Sequence, residues 1–298
     1  MRVPFSLFIL VAVLTAVDSA FAQYRAHRIA VIGFGESETA RRVAQKIELL
    51  FMDTDRRLEF LVVDSDQTKA AANGAGYDGS LNLTLADARN VGAAIGSDFY
   101  FTGIAQTLRR SPSDAPIYFE SYASVFLVSA RTGKLVFWER QEFRRPTSAE
   151  AERALLNSLS AATTRERYRN TVRRVAEQER DARATAIEKG TPVIESMPDD
   201  ETASGVRTPR AFRRPKPPYP DAAAHDAVEA TVDALVDIDA KGRVGHIEIV
   251  RWAGYGLDES VMKTVKQMDF FPAMRDGVAI PMRVLLRYNF RKPPAEEK

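Results

Sequence analysis

The first half of the chain alternates between two patterns of apolar residues. Helical spacing of apolar residues follows Ser37 and Thr84, two polar residues that can act as helix N-caps. Residues 73–79 are rich in glycine and predict a loop. Runs of β-branched and aromatic residues typical of buried strands cover residues 28–33, 58–63, 99–108, 118–128 and 135–143. This order predicts that residues 23–147 form an α/β domain with a mixed sheet and helices on one face.

Beyond residue 147 the pattern becomes polar. Ser148 is expected to begin a helix that docks Leu155 and Leu159 on the first domain. Beyond Thr163 nearly every residue is charged, so we interpret residues 148–189 as a helical spacer in solvent, held by ion pairs one turn apart. A helix that binds a partner or a membrane surface is the alternative.

Proline and small polar residues dominate residues 190–214, which predicts a flexible linker. At the end of this stretch, residues 207–216 contain five basic residues and no acidic residue. Such a segment could bind an anionic surface, but a flexible basic tail is the simpler interpretation.

Strand-like alternation returns in residues 215–298. Gly242 lies in a hairpin turn between strands predicted at 230–239 and 244–251, and Asp258 is the expected N-cap of a helix. A final strand is predicted at Met282–Phe290, with Met282, Val284, Leu286, Tyr288 and Phe290 on one face and Arg283, Leu285, Arg287 and Asn289 on the other. The predicted fold class of the whole chain is therefore α+β, with a ββαβ unit at the C-terminus.

Several residues that punctuate this unit resemble the C-terminal domain of the TonB family over residues 215–291. They are Tyr219, Pro220, Gly242, Phe270 and Pro272, in this order along the chain. Two positions depart from the family pattern. Ala230 stands where glycine is common and Met268 where tryptophan is frequent, which weakens the case that this chain binds the usual partner of the family.

The resemblance implies that this domain binds other proteins by strand addition at its last strand. The implied partner-binding residues are Arg283, Val284, Leu285, Leu286, Arg287, Tyr288 and Asn289. The implied partners are proteins of the cell envelope, including an outer-membrane protein or a second copy of the chain. The competing interpretation is that Arg283, Arg287 and Lys292 protect the strand edge against aggregation.

The first domain resembles TolB-like and CsgG-like periplasmic domains more loosely. The resemblance is carried by the opening strand at 28–34, by residues 92–103, and by the strand that leads into Ala130 and Gly133. It implies an envelope protein with an N-terminal domain of unassigned role.

The N-terminus indicates export. Arg2 precedes an apolar run at residues 3–17, and Ala20 and Ala22 form the small-x-small pattern of a cleavage site. A cleaved signal peptide at residues 1–22 is the preferred interpretation and predicts a periplasmic protein. The alternative is that the same segment anchors the chain in the inner membrane, as in a TonB-type energy transducer that drives outer-membrane transport.

Composition and side-chain chemistry favour a binding protein over an enzyme. The net charge of +2 gives no reason to expect a nucleic-acid partner. The absence of cysteine excludes thiol catalysis and disulfides. Gly33 and Gly35 lack the third glycine of a dinucleotide-binding loop. The three histidines are far apart in sequence, so no metal or other cofactor is predicted.

Overall fold

The computed structural model describes residues 26–52, 59–113, 116–189 and 205–292. The predicted signal peptide or anchor, residues 1–22, lies outside the described residues, as do residues 190–204 of the predicted linker. Within the described ranges, no helix is both long enough and apolar enough to cross a membrane.

The first domain is built on a five-stranded sheet in the order β2-β1-β3-β4-β5. Its first three strands run parallel to one another, and β4 and β5 continue the sheet antiparallel. The strands are β1 (His27–Gly33), β2 (Phe60–Val62), β3 (Phe99–Arg110), β4 (Tyr118–Ser129) and β5 (Leu135–Arg145). The predicted mixed sheet is thus confirmed.

Helices cover both faces of this sheet, so the prediction of helices on one face is wrong. On one face lie α1 (Glu38–Phe51), α4 (Ser148–Leu159) and α5 (Ala162–Lys189), and on the other lie α2 (Ser65–Gly74) and α3 (Leu85–Ile95). The reason is that β1 is apolar on both sides. Ile29 and Val31 point to the first group of helices, and Ala30 and Ile32 to the second.

In the first domain and the helix that follows it, three predicted helix starts are confirmed and one helix was not predicted. Ser37 and Thr84 accept hydrogen bonds from Ala40 and Asp87 as N-caps. The helix α2 was missed because its apolar residues are mostly alanines, and Asp64 caps it through the backbone amides of Asp66 and Gln67. Helix α4 begins at Ser148, as predicted, and Thr147 is its N-cap.

The first half of the predicted spacer is part of the first domain. Tyr168 and Val172 of α5 are fully buried against the sheet face that carries α1. Tyr168 donates a hydrogen bond to Glu139, and Arg173 binds Glu59. Val175 and Ala176 also pack against this core, so a short apolar stripe among many charges docks the helix. The high content of charged residues hides this stripe in the sequence.

The second domain contains the predicted ββαβ unit. Its main sheet has the order β13-β8-β9, with all neighbours antiparallel, and carries α7 on one face. The elements are β8 (Ala230–Ile238), β9 (Val244–Arg251), α7 (Leu257–Val265) and β13 (Met282–Phe290), preceded by the short α6 (Asp221–His225).

Five shorter strands complete this domain, and they correct the predicted extent of the linker. Strand β6 (Val206–Arg207) pairs with β11 (Ala273–Arg275), and β7 (Arg210–Ala211) pairs with β10 (Phe270–Phe271). Strand β12 (Val278–Ile280) pairs with the other side of β11. Residues 206–211, predicted as flexible linker, are therefore held by backbone hydrogen bonds to the segment that follows α7.

One of the two hydrophobic cores contains residues of both domains. The side-chain amide of Asn82 donates to the carbonyl oxygens of Thr231 and Trp252, each at 2.8 Å, and its oxygen accepts from the amide of Thr231. The Trp252 indole donates to the Gly133 carbonyl at 2.9 Å and stacks on Phe126. The second domain is thus packed on the sheet of the first, which leaves no gap at this contact for the linker to span.

Candidate protein-binding edge

Strand β13 lies at one edge of the C-terminal sheet. All nine of its residues pair with β8, from Met282 opposite Ile238 to Phe290 opposite Ala230. No described strand pairs with its other side. A row of backbone amide and carbonyl groups is therefore available along this edge for pairing with another chain.

One contact shows which backbone groups face this edge. The Arg214 side chain donates a hydrogen bond to the carbonyl oxygen of Arg287 at 3.2 Å, so this carbonyl points away from β8. Because backbone direction alternates along a strand, the amide and carbonyl groups of Arg283, Leu285 and Asn289 point the same way. Arg214 was not among the predicted site residues, and no pattern near it in the sequence indicated this contact.

The side chains of β13 divide between the two faces as the alternation predicted. Val284 and Tyr288 are buried, and Leu286 packs partly buried beside them on the face that carries α7. Their side chains fill the core and their backbone groups face β8, so these three predicted site residues offer a partner neither a side chain nor a free backbone group. Leu285 is 44% exposed on the opposite face, and Asn289 is also exposed there.

The two arginines of β13 are held by aspartates of the neighbouring strand. Arg283 donates two hydrogen bonds to Asp237, at 2.5 and 2.8 Å. Arg287 donates two to Asp233, at 2.7 and 3.0 Å, and Asp233 also binds Arg251 of β9. The hydrogen bonds from Arg287 and Arg283 lower the pKa values of Asp233 and Asp237, so both carboxylates remain ionised. These pairs fix the β13–β8 register and leave the outer backbone edge accessible.

The predicted motif residues all lie in the frame that supports this sheet. The Tyr219 hydroxyl donates to the Val228 carbonyl at 2.6 Å, and Pro220 precedes the first residue of α6. Gly242 adopts a positive φ of 79° in the β8–β9 hairpin, and its carbonyl accepts from the amide of Phe270. Pro272 separates β10 from β11. Their contacts are structural.

The opposite edge of the C-terminal sheet faces the first domain. Strand β9 and the edge strand β5 line a cleft of about 320 Å³, and Lys134 and Glu248 form an ion pair at its rim. A chain that paired with β9 would have to enter between the two domains. Edge β13 is thus the more accessible of the two edges.

Asp258 has a role different from the predicted N-cap. Helix α7 begins at Leu257 after Gly256, and Gly256 adopts a left-handed conformation with no side-chain cap. The Asp258 carboxylate accepts from the amides of Ala253 and Gly254 at 2.9 Å, so it fastens the loop that packs on the first domain. Burial raises the pKa of Asp258 to about 7 despite these two hydrogen bonds.

A buried ion network joins the two domains at another point. Glu120 accepts from Arg110 at 2.7 Å and from Arg140 at 2.8 Å, and Arg140 also binds Asp226 of the second domain. His225 lies 3.1 Å from Glu120. Burial opposes ionisation of Glu120, but the hydrogen bonds from Arg140, His225 and Arg110 outweigh it and lower its pKa to about 2.

Glu120, Glu142 and His225 bring three potential metal ligands together, two carboxylates and one imidazole. However, both carboxylates already bind arginine side chains, so their charge is compensated within the protein. The arrangement matches an ion network better than a metal site.

The fold is that of an α+β protein with a C-terminal ββαβ domain. Residues 215–291 match the family described as Gram-negative bacterial TonB protein C-terminal. This match confirms the resemblance that the sequence indicated for these residues.

Three solved structures are similar to parts of the chain. The solution NMR structure of the Pseudomonas aeruginosa TonB C-terminal domain is 20% identical, covers 36% of this chain and 99% of that chain, and has a TM-score of 0.26. The LpoB C-terminal domain from Salmonella enterica is 11% identical, with coverages of 43% and 92% and a TM-score of 0.27. The hypothetical protein CT253 from Chlamydia trachomatis is also 11% identical, with coverages of 41% and 74% and a TM-score of 0.27. No curated protein matches the chain. The resemblance of the first domain to TolB-like and CsgG-like domains stays a prediction.

Proposed function

We propose that this chain is a non-enzymatic protein of the Gram-negative periplasm that binds an extended segment of an envelope protein by strand addition at β13. The observation that carries the proposal is the outer edge of β13, where the backbone groups of Arg283, Leu285, Arg287 and Asn289 face away from β8. The match of residues 215–291 to the TonB C-terminal family supports it. The predicted signal peptide at residues 1–22 supports the periplasm as the location.

The Arg214 side chain occupies one carbonyl of this edge, so a partner has to displace it or pair on either side of it. The ion pairs of Arg283 and Arg287 hold the strand in register with β8 before a partner arrives. A preformed edge reduces the ordering that binding costs. An outer-membrane protein and a second copy of this chain are the candidate partners.

Replacement of Leu285 by proline tests strand addition. Proline removes the outward amide of residue 285. The hydrogen bonds to β8 stay intact, because they are made by the even-numbered residues of β13. The matched control, Leu285→Ala, removes the same exposed side chain and keeps the amide.

Envelope proteins captured from a detergent extract by the wild type should also be captured by Leu285→Ala, and L285P should capture at least tenfold less of them. Circular dichroism should show that both variants remain folded. Capture by L285P equal to that by the alanine control would show that the amide edge is not the binding site.

A further inference from the structure

A second surface on the C-terminal domain combines exposed aromatic rings with basic side chains. Phe212 is 58% exposed and Phe271 45% exposed, and their ring centroids lie 3.9 Å apart. The Arg210 guanidinium lies 5.4 Å from the centre of the Phe271 ring, and Arg213 is exposed beside Phe212. We call Arg210, Phe212, Arg213 and Phe271 the Phe212 patch.

The backbone holds this patch in place. Ala211 pairs with Phe270 and Arg210 with Phe271, and the amide of Phe212 donates to the carbonyl of Asp269 at 2.9 Å. Phe270 is buried, so its neighbour Phe271 points outward on the same face as Arg210. The two rings are therefore presented to solvent by paired strands and are not side chains of a flexible tail.

The chain segment that bears the patch carries charge of one sign. Residues 207–216 contain five basic residues and no acid, and all five basic side chains are exposed. None of the five forms an ion pair with a carboxylate in the part of the chain that the structure describes. Arg214, for example, bonds a neutral backbone carbonyl, so its charge is not compensated. Nearby, Asp269 is an exposed acid, and Arg243 pairs with it through the backbone.

We propose that the Phe212 patch binds the surface of an anionic phospholipid bilayer. Phe212 and Phe271 would enter the boundary between headgroups and acyl chains, and the arginines would contact lipid phosphates. The combination of exposed rings and basic side chains carries the inference. A purely electrostatic site has no use for two exposed phenyl rings, whereas a membrane-surface site uses apolar rings at the acyl boundary and basic side chains at the lipid phosphates.

Such a contact would orient the C-terminal domain at a membrane face. The segment that bears Phe212 also supplies Arg214, whose side chain reaches the β13 edge at Arg287. The lipid contact is independent of strand addition, because its side chains are not those of β13.

Co-sedimentation with vesicles tests the proposal. The protein used begins at Gln23, which removes the apolar run at residues 3–17 and keeps every described residue of both cores. Vesicles of phosphatidylglycerol and phosphatidylethanolamine are compared with vesicles of phosphatidylcholine, at low and at physiological salt. The wild type should bind the anionic vesicles at least tenfold more strongly than the neutral ones.

Two double variants separate the contributions of rings and charges. F212S/F271S should lose at least tenfold in affinity at both salt concentrations, and R210Q/R213Q should lose at least tenfold at low salt. The matched controls are L49S/M52S, which replaces two similarly exposed apolar residues on and just after α1, and R174Q/R180Q, which removes two exposed arginines of α5. Both controls should bind as the wild type does.

Each other result overturns the proposal. Equal binding to anionic and neutral vesicles would show that the arginines of the patch do not recognise lipid charge. Unchanged binding by F212S/F271S would show that the rings do not enter the bilayer and that the basic segment binds anions of any kind, including an acidic protein. An equal loss in the controls would show that net charge or general hydrophobicity drives the binding. Thermal unfolding of every variant within a few degrees of the wild type shows that the fold is intact.

Discussion

At the level of single residues, Glu120 shows how a charged side chain is stabilised when it is buried. Its side chain is 1% exposed, and three cationic or polarisable partners, Arg110, Arg140 and His225, surround it. A carboxylate taken out of water at this depth is tolerated only when its hydrogen bonds are satisfied. Because Arg140 also binds Asp226, the stability of this carboxylate and the contact between the domains depend on each other.

The lowered pKa of Glu120 predicts how stability changes with acid. Its folded pKa of about 2 lies below the ordinary value of 4.5, so the folded state binds fewer protons than the unfolded state. The stabilisation is present in full above pH 4.5 and is lost as the pH falls toward 2. Between pH 5 and pH 3 the wild type should therefore lose about 2 kcal/mol of unfolding free energy through this group.

Replacement of Glu120 by glutamine isolates this contribution. At pH 7, E120Q should be about 3 kcal/mol less stable than the wild type, because Arg110 and Arg140 each lose a charged hydrogen-bond acceptor at a buried position. Between pH 5 and pH 3 its stability should fall about 2 kcal/mol less than that of the wild type. Urea unfolding at a series of pH values measures both effects. Parallel pH profiles for the two proteins would show that Glu120 does not carry this dependence.

At the level of elements, the β8–β9 hairpin shows how a turn and a distant strand constrain one glycine. Gly242 has a φ of 79°, and a Cβ atom added there would overlap the carbonyl oxygen of Phe270. Gly277 has nearly the same φ, 80°, but a Cβ atom there would meet no atom within 4 Å. A comparison of these two glycines therefore separates the cost of backbone strain from the cost of steric overlap.

Replacement of each glycine by alanine should therefore cost different amounts. Gly277→Ala should lower the free energy of unfolding by about 1 kcal/mol, the cost of a left-handed alanine. Gly242→Ala should lower it by about 3 kcal/mol, because Phe270 must also move away from the hairpin. Denaturant unfolding gives both values. Equal losses would mean that the Phe270 carbonyl moves freely and that Gly242 is needed only for its φ.

The sequence predicted those elements whose pattern is local. The five strands of the first domain and the ββαβ unit were predictable because β-branched runs and strict alternation mark them. The helix α2 was not, because its alanines give no apolar stripe. Strands β6 and β7 were not either, because they are two residues long and lie on either side of Pro209, and their order comes from pairing with residues 270–275.

The candidate site was predictable only in part, for the same reason. The position of β13 and the faces of its side chains followed from alternation. The outward direction of the Arg287 carbonyl and its contact with Arg214 depend on residues 73 positions apart in sequence. No periodic pattern encodes such a pairing.

At the level of the whole molecule, the main departure from the sequence is that the two domains form one packed unit. Asn82 illustrates why the sequence could not show it, since its amide meets Thr231 and Trp252 more than a hundred residues away. Both tryptophans of the chain lie at the contact, where Trp252 stacks on Phe126 and Trp138 contacts Tyr255. An adaptor built this way would present its β13 edge at a fixed orientation to the first domain.

Replacement of Asn82 by alanine tests whether the domains unfold together. The change leaves the amide of Thr231 and two carbonyl groups without their partner and should lower stability by about 2 kcal/mol. In the wild type, tryptophan fluorescence and far-ultraviolet circular dichroism should report the same transition in denaturant. In N82A the fluorescence change should come first, because the contact between the domains opens before either sheet unfolds.

The control Asn90→Ala, at an exposed position of α3, should behave as the wild type does. Coincident transitions with an unchanged midpoint in N82A would mean that the apolar contacts of Trp252 alone hold the domains together, and that the orientation of the β13 edge does not depend on Asn82.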